Sequence, residues 1–176
     1  MGKNKLIQKT ALKIANGTDS EDIFASYWQL KKILSGRFFE RDIMTLLEVV
    51  NHCLTINGVM ETRAYLLLDL IKEEANETSA GSIARLLMRP ELYSTTERSG
   101  RCALLNLLGR IGNRQTVQQI KVAASYFKNV AYQDISSMNG DDGKPWKTPA
   151  EALRLADEHL IARAIKSIKT RHMGKH

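Results

Sequence analysis

Apolar residues recur along this chain at intervals of three and four, the period of an amphipathic helix, and no stretch alternates as a strand would. The first segment, 3–16, sets Leu6, Ile7, Ala11, Ile14 and Ala15 on one side and stops at Gly17. A second opens on the capping pattern Thr18-x-x-Glu21, whose hydroxyl and carboxylate can satisfy the free amides of a helix start. It carries Ile23, Tyr27, Leu30 and Leu34 and ends at Gly36. The third, about 41–56, repeats Ile43, Leu47, Val50 and Leu54 and meets Asn57-Gly58, a pair suited to a left-handed stop. The fourth, about 59–75, aligns Ala64, Leu67, Leu68, Ile71 and Ala75. A short fifth, about 79–88, ends ahead of Pro90, because proline disfavours helix at the residue before it.

A second capping pattern, Ser94-x-x-Glu97, predicts the start of a sixth helix carrying Cys102, Leu104, Leu105, Leu108 and Ile111. The seventh is the most regular, with Val117, Ile120, Ala124, Phe127, Ala131, Ile135 and Met138 predicting one long buried helix. A loop over 139–147 follows. Thr148-x-x-Glu151, with Pro149 at the first helical position, then opens a C-terminal helix over about 149–170 on Leu153, Leu160, Ala164 and Ile168. Residues 171–176 are expected to be a mobile tail.

The predicted starts near 20, 40, 59, 78 and 95 give each helix with its turn ~20 residues and each pair ~40, the period of stacked helical hairpins. Residues 102–128 carry Leu105, Leu108, Gly109, Ile111, Gly112, Asn113, Val117 and Ile120 across a helix end, a tight turn and the next helix. In this they resemble one unit of a HEAT-type α-helical repeat, with Arg114 where that family often has proline. The expected fold is therefore all-α and a single domain over 1–176. It consists of antiparallel hairpins of about 7–8 helices, stacked as a short HEAT-like solenoid or gathered as an irregular helical bundle. The resemblance implies a grooved face, built by neighbouring repeats, that holds another macromolecule.

Composition changes this picture little, except in charge. The net charge of +7 is unevenly spread: residues 1–18 carry four lysines and no acid, whereas 19–77 carry eleven acids against six bases. The segments 78–147 and 148–176 are both basic, so head-to-tail self-association is one expectation. No apolar run approaches the ~18 residues that cross a bilayer, and the N-terminal segment is broken by Gln8, Lys9 and Thr10 before it resembles a secretory core. Cys53 and Cys102 are far apart within apolar patterns and read as buried free thiols. These features predict a cytoplasmic protein without membrane attachment.

The residues offer no familiar catalytic pattern: glycine fingerprint, phosphate loop, HExxH, paired CxxC and GxSxG are all absent. Glu48 and His52 lie four apart on the third helix, where a surface hydrogen bond is the ordinary outcome and a metal would need further ligands. The chain is expected to be non-enzymatic and to need no cofactor or metal. The better lead is basic. Lys5, Lys9 and Lys13 form a ridge on the first helix; Arg98, Arg101, Arg110, Arg114, Lys121 and Lys128 mark the repeat-like region; Arg163, Lys166, Lys169 and Arg171 crowd the last turns. Trp146 is a candidate binding anchor in the 139–147 loop, the alternative being that it pins the last helix. The leading expectation is a binding or regulatory protein presenting a helical surface to a protein partner. The alternative is sequence-independent DNA or RNA binding, should the basic ridges converge on one groove.

Overall fold

Each periodic segment forms a helix in the computed structural model, which describes residues 2–35, 39–57, 62–93, 98–127, 135–137 and 146–173. Among these residues the α-helices are α1 (Lys3–Asn16), α2 (Ser20–Leu34), α3 (Glu40–Asn57), α4 (Thr62–Glu74), α5 (Ala80–Leu86), α6 (Arg98–Ile111), α7 (Arg114–Phe127) and α8 (Ala150–Met173). A 3-10 turn, Pro90–Tyr93, lies between α5 and α6. The stripes named by spacing are buried: Ile7, Ile14, Leu30, Ile43, Leu67, Ile71, Leu108, Ile120 and Ile168 all belong to one core. No described helix is long and apolar enough to cross a membrane.

The helices pair as hairpins, α1 with α2, α3 with α4, α5 with α6 and α7 with α8. Odd-numbered helices then pack in one layer, α1 on α3, α3 on α5 and α5 on α7, while α2 on α4 and α6 on α8 build the second layer. The bonds between stacked helices carry the repeat itself. Lys3 reaches Asp42 and Thr45 reaches Asn4, at separations of 39 and 41 residues. Tyr27 reaches Asp69 and Lys31 reaches Glu73, both at 42, and Arg110 reaches the Lys72 carbonyl at 38. Between α1 and α3 and between α2 and α4 the bonded sequence numbers rise together, so these helices run parallel, as stacked hairpins do. Between α6 and α8 the separations are 56 to 62, because extra chain is inserted between α7 and α8.

That insertion corrects the expected seventh helix. Within the described residues α7 runs from Arg114 to Phe127. Instead of helix at Ile135 and loop at Trp146, β1 (Ile135–Ser137) pairs antiparallel with β2 (Trp146–Thr148), in the register Ile135↔Thr148, Ser136↔Lys147 and Ser137↔Trp146. β-branched and aromatic residues favour strand, and the Asn139-Gly140-Asp141-Asp142-Gly143 run between the two strands has turn composition, which outweighs the accidental 4,3 spacing of Ala131, Ile135 and Met138. The expected helix over 128–134 lies outside the described residues.

Two helix ends also differ. The cap of α2 is Asp19, one residue beyond Thr18; its carboxylate accepts from the amides of Glu21 at 2.8 Å and Asp22 at 3.1 Å. An aspartate caps as well as a hydroxyl does and adds a negative charge at the positive helix end. Thr148 belongs to β2 and α8 begins after Pro149, while the Ser94 pattern lies outside the described residues. At the other end, α8 continues past 170 to Met173. Arg171 donates to the carbonyls of Gly109 (2.9 Å) and Gly112 (3.1 Å), and the His172 ring nitrogen is 3.2 Å from the same Gly112 oxygen. These are carbonyls at the end of α6 that the helix itself leaves without partners, so the expected mobile tail is pinned as far as it is described.

Candidate interaction surfaces

The basic residues singled out by sequence go to different places. Lys5, Lys9 and Lys13 are exposed at one-turn intervals and line an open groove of about 950 Å³ between α1 and α2, opposite Asp22, Ser26 and Gln29 and over Leu12. This is the outer side of the first hairpin, where a stack needs a polar covering. Arg114 and Lys121 are exposed on α7, and Lys166 and Lys169 on α8. Lys128 lies outside the described residues, as does the side chain of Trp146. From different helices, Arg110 and Arg163 come together, both lining a hollow of about 260 Å³ between α6 and α8.

Arg101 is corrected as a surface candidate, and Arg98 beside it is drawn half into the same ion pair. Arg101 is wholly buried; its Nε and Nη2 donate to Asp157 Oδ2 at 3.0 and 2.7 Å, and its Nη1 donates to the Leu92 carbonyl at 2.6 Å. Its guanidinium also lies 5.6 Å from the centre of the Phe127 ring. Arg98, half-buried, brings Nε to 3.0 Å from Asp157 Oδ1 as an ion pair without hydrogen-bond alignment. One buried carboxylate thus serves two guanidiniums, and a charge taken out of water persists only with such partners. The clue was positional. Arg101 precedes Leu104, Leu105 and Leu108 by three, four and seven, and Asp157 follows Leu153 by four, so both charges occupy core positions of their helices.

Periodicity could not reveal a cleft of about 510 Å³ between α4 and α6. Leu68, Leu104 and Leu107 are its buried lining, and Tyr65, Leu66 and Ala103 its half-buried lip. Lys72 and Arg110 close one end, where an Arg110 nitrogen donates to the Lys72 carbonyl and joins the C-terminal turns of the two helices. Arg163, on the neighbouring α8, donates to Asn106 Oδ1 at 2.6 Å, which holds its guanidinium beside the same end. Asp69, the acid in the lining, accepts at 3.2 Å from the Tyr27 hydroxyl. Burial, and then the hydrogen bond to Asp69 and its charge, push the Tyr27 phenol above its ordinary range.

Near the tie between α2 and α4, α2 exposes Phe24 and Trp28, 50 % and 63 % accessible and one turn apart. Trp28 meets Tyr27 edge to face at 5.5 Å, and Lys31 Nζ lies 5.8 Å from the Trp28 ring centre. Glu48 is exposed and His52 half-buried on α3, and among the described residues no three His, Cys, Asp or Glu side chains gather as a metal site. Cys53 is buried and Cys102 half-buried, neither forming a disulfide among the described residues, and burial pushes the Cys102 thiol up. Comparison of the chain with protein-family models, with curated proteins and with solved structures finds no match in any of the three.

Proposed function

We propose that this chain is a non-enzymatic binding or regulatory protein, and that its layer of α2, α4, α6 and α8 presents a surface to a protein partner. The observation that carries this reading is the leucine-lined cleft between α4 and α6, with Arg110 and Arg163 at its end. Phe24 and Trp28 add exposed aromatic area on α2 of the same layer. Aromatic side chains and arginine around an apolar centre are what distinguishes a protein interface from ordinary surface. Stacked hairpins supply an extended scaffold whose neighbouring helices build a binding face, as in repeat-built binding proteins. Two cysteines that form no disulfide among the described residues suit work in the reducing cytoplasm.

A nucleic-acid reading draws on the ridge of Lys5, Lys9 and Lys13, but those lysines lie on the end hairpin, apart from the arginines of α6 and α8. Affinity for a phosphate backbone grows with the number of cations reaching it together, and the dispersed groups favour the protein reading. Photo-crosslinking residues placed at Trp28, Leu66 and Asn106, and for comparison at Lys9, Glu48 and Lys121, test this in the native cell. The expected outcome is protein adducts from the first three positions. Nucleic-acid adducts concentrated at Lys9, or protein adducts confined to Glu48 and Lys121, would overturn it.

A further inference from the structure

Resting on that reading, we infer that the α4–α6 cleft receives about two turns of an amphipathic helix from the partner, its apolar stripe facing Leu66 and Leu107 and its flank rich in Asp and Glu. The lining residues run from Tyr65 to Lys72 on one wall and from Ala103 to Arg110 on the other. At 1.5 Å per residue each wall is ~10 Å long, the length over which anchors at i, i+4 and i+7 project from one helix. The two walls run parallel and meet at their C-terminal turns through Arg110 and the Lys72 carbonyl. Elsewhere in this layer α6 and α8 pack closely, whereas α4 and α6 leave a cleft whose floor is the buried Leu68, Leu104 and Leu107 and whose half-exposed lip is Tyr65, Leu66 and Ala103. The second layer therefore has a gap one helix can fill.

Charge selects the flank. Lys72, Arg110 and Arg163 have no carboxylate partner among the described residues, and Asp69 is engaged by Tyr27. A partner covering this end takes three cations out of water, which is favourable only if it supplies carboxylates in return. A leucine floor offers nothing to a phosphate backbone, so the combination fits an acidic helix better than a nucleic acid.

The test uses the full chain and a library of helix-stapled peptides of about 16 residues, with Leu, Ile or Phe at i, i+4 and i+7 and with flanks of Glu or of Lys. Fluorescence anisotropy should find binders among the Glu-flanked members and about tenfold or greater loss on changing the flanks to Lys. Leu66→Glu and Ala103→Glu should each weaken the best binder by about tenfold or more. Arg110→Glu with Arg163→Glu should reverse the flank preference. Thermal unfolding checks each variant, and Ala103→Glu, on the half-buried lip, replaces Leu66→Glu if the latter melts early. Absence of any binder, indifference to flank charge, or binders unaffected by the cleft variants would overturn the inference, as would occupation of the cleft by a second copy of this chain. If the peptides fail while protein adducts still form at Trp28, Leu66 and Asn106, the helix-docking inference falls and the broader reading stands; if the adducts fail as well, both fall.

Discussion

Gly109 of α6 lies against the backbone of α8 so closely that a Cβ added to it would be 3.3 Å from Ala164 Cα and 3.6 Å from Ala164 Cβ. Two small residues thus set the approach of the helices that close the stack, and Gly112, just beyond α6, leaves still less room: a Cβ there would be 2.7 Å from Ile168 Cδ1. Gly109→Leu should separate α8 from α6 and destabilise the chain by about 2–3 kcal/mol in urea unfolding, the usual cost of overfilling a packed contact. Ala164→Gly in the same background should recover part of the loss. A Gly109→Leu protein with unchanged midpoint and slope would mean that this contact does not hold α8.

The buried carboxylate of Asp157 supports a second test. Asp157→Leu leaves Arg101 enclosed without its counter-charge and should cost about 3–5 kcal/mol. Arg101→Met in the same chain removes the stranded charge and should restore most of that stability, so the two losses will not add. A strictly additive double-mutant cycle would show that the pair makes no joint contribution.

The period of the stack was legible because apolar spacing is a direct consequence of helix geometry: predicted pairs of ~40 residues correspond to the 38 to 42 residues separating bonded partners in α1 to α6. What failed depends on neighbours that spacing does not encode. Arg101 and Arg110 carry the same charge on one helix, yet one is enclosed by Asp157, Leu92 and Phe127 and the other lies on the surface. Ile135 matched a helical interval but pairs across a hairpin with Thr148. The cleft was beyond the reach of periodicity, since it is set by the distance between α4 and α6. Gly109 and Gly112 sit where α8 approaches α6 closely, a constraint between helices that spacing within one helix does not show.

The start of α2 distinguishes the two capping assignments. Asp19→Ala removes the acceptor for the Glu21 and Asp22 amides and should cost about 1 kcal/mol, whereas Thr18→Ala should leave the unfolding midpoint nearly unchanged. Equal losses from the two would restore Thr18 to the capping role. Asp19→Asn should retain most of the stability, because the amide oxygen still accepts the hydrogen bonds.

Tyr27 gives the fold a dependence on alkaline pH. Burial, followed by the hydrogen bond to Asp69 and its charge, raises the phenol above its ordinary value of 10.0, so the folded chain holds this proton more tightly than the unfolded chain does. Stability from that difference is fully present below the unfolded value, and is lost as pH rises through the higher folded value. Urea unfolding should therefore show a decline in stability beginning near pH 10.0. Tyr27→Phe should be weaker by about 1 kcal/mol at neutral pH for want of the hydrogen bond, yet lose less on going alkaline. An ultraviolet absorbance titration compared between the wild type and Tyr27→Phe should identify Tyr27 as a late-titrating tyrosine. Asp69→Asn should bring that titration to lower pH, because it removes the negative charge beside the phenol while burial still holds the group above 10.0. If removing Tyr27 takes no late-titrating tyrosine from the absorbance titration, and Asp69→Asn leaves that titration unmoved, the contact between α2 and α4 does not couple the two side chains.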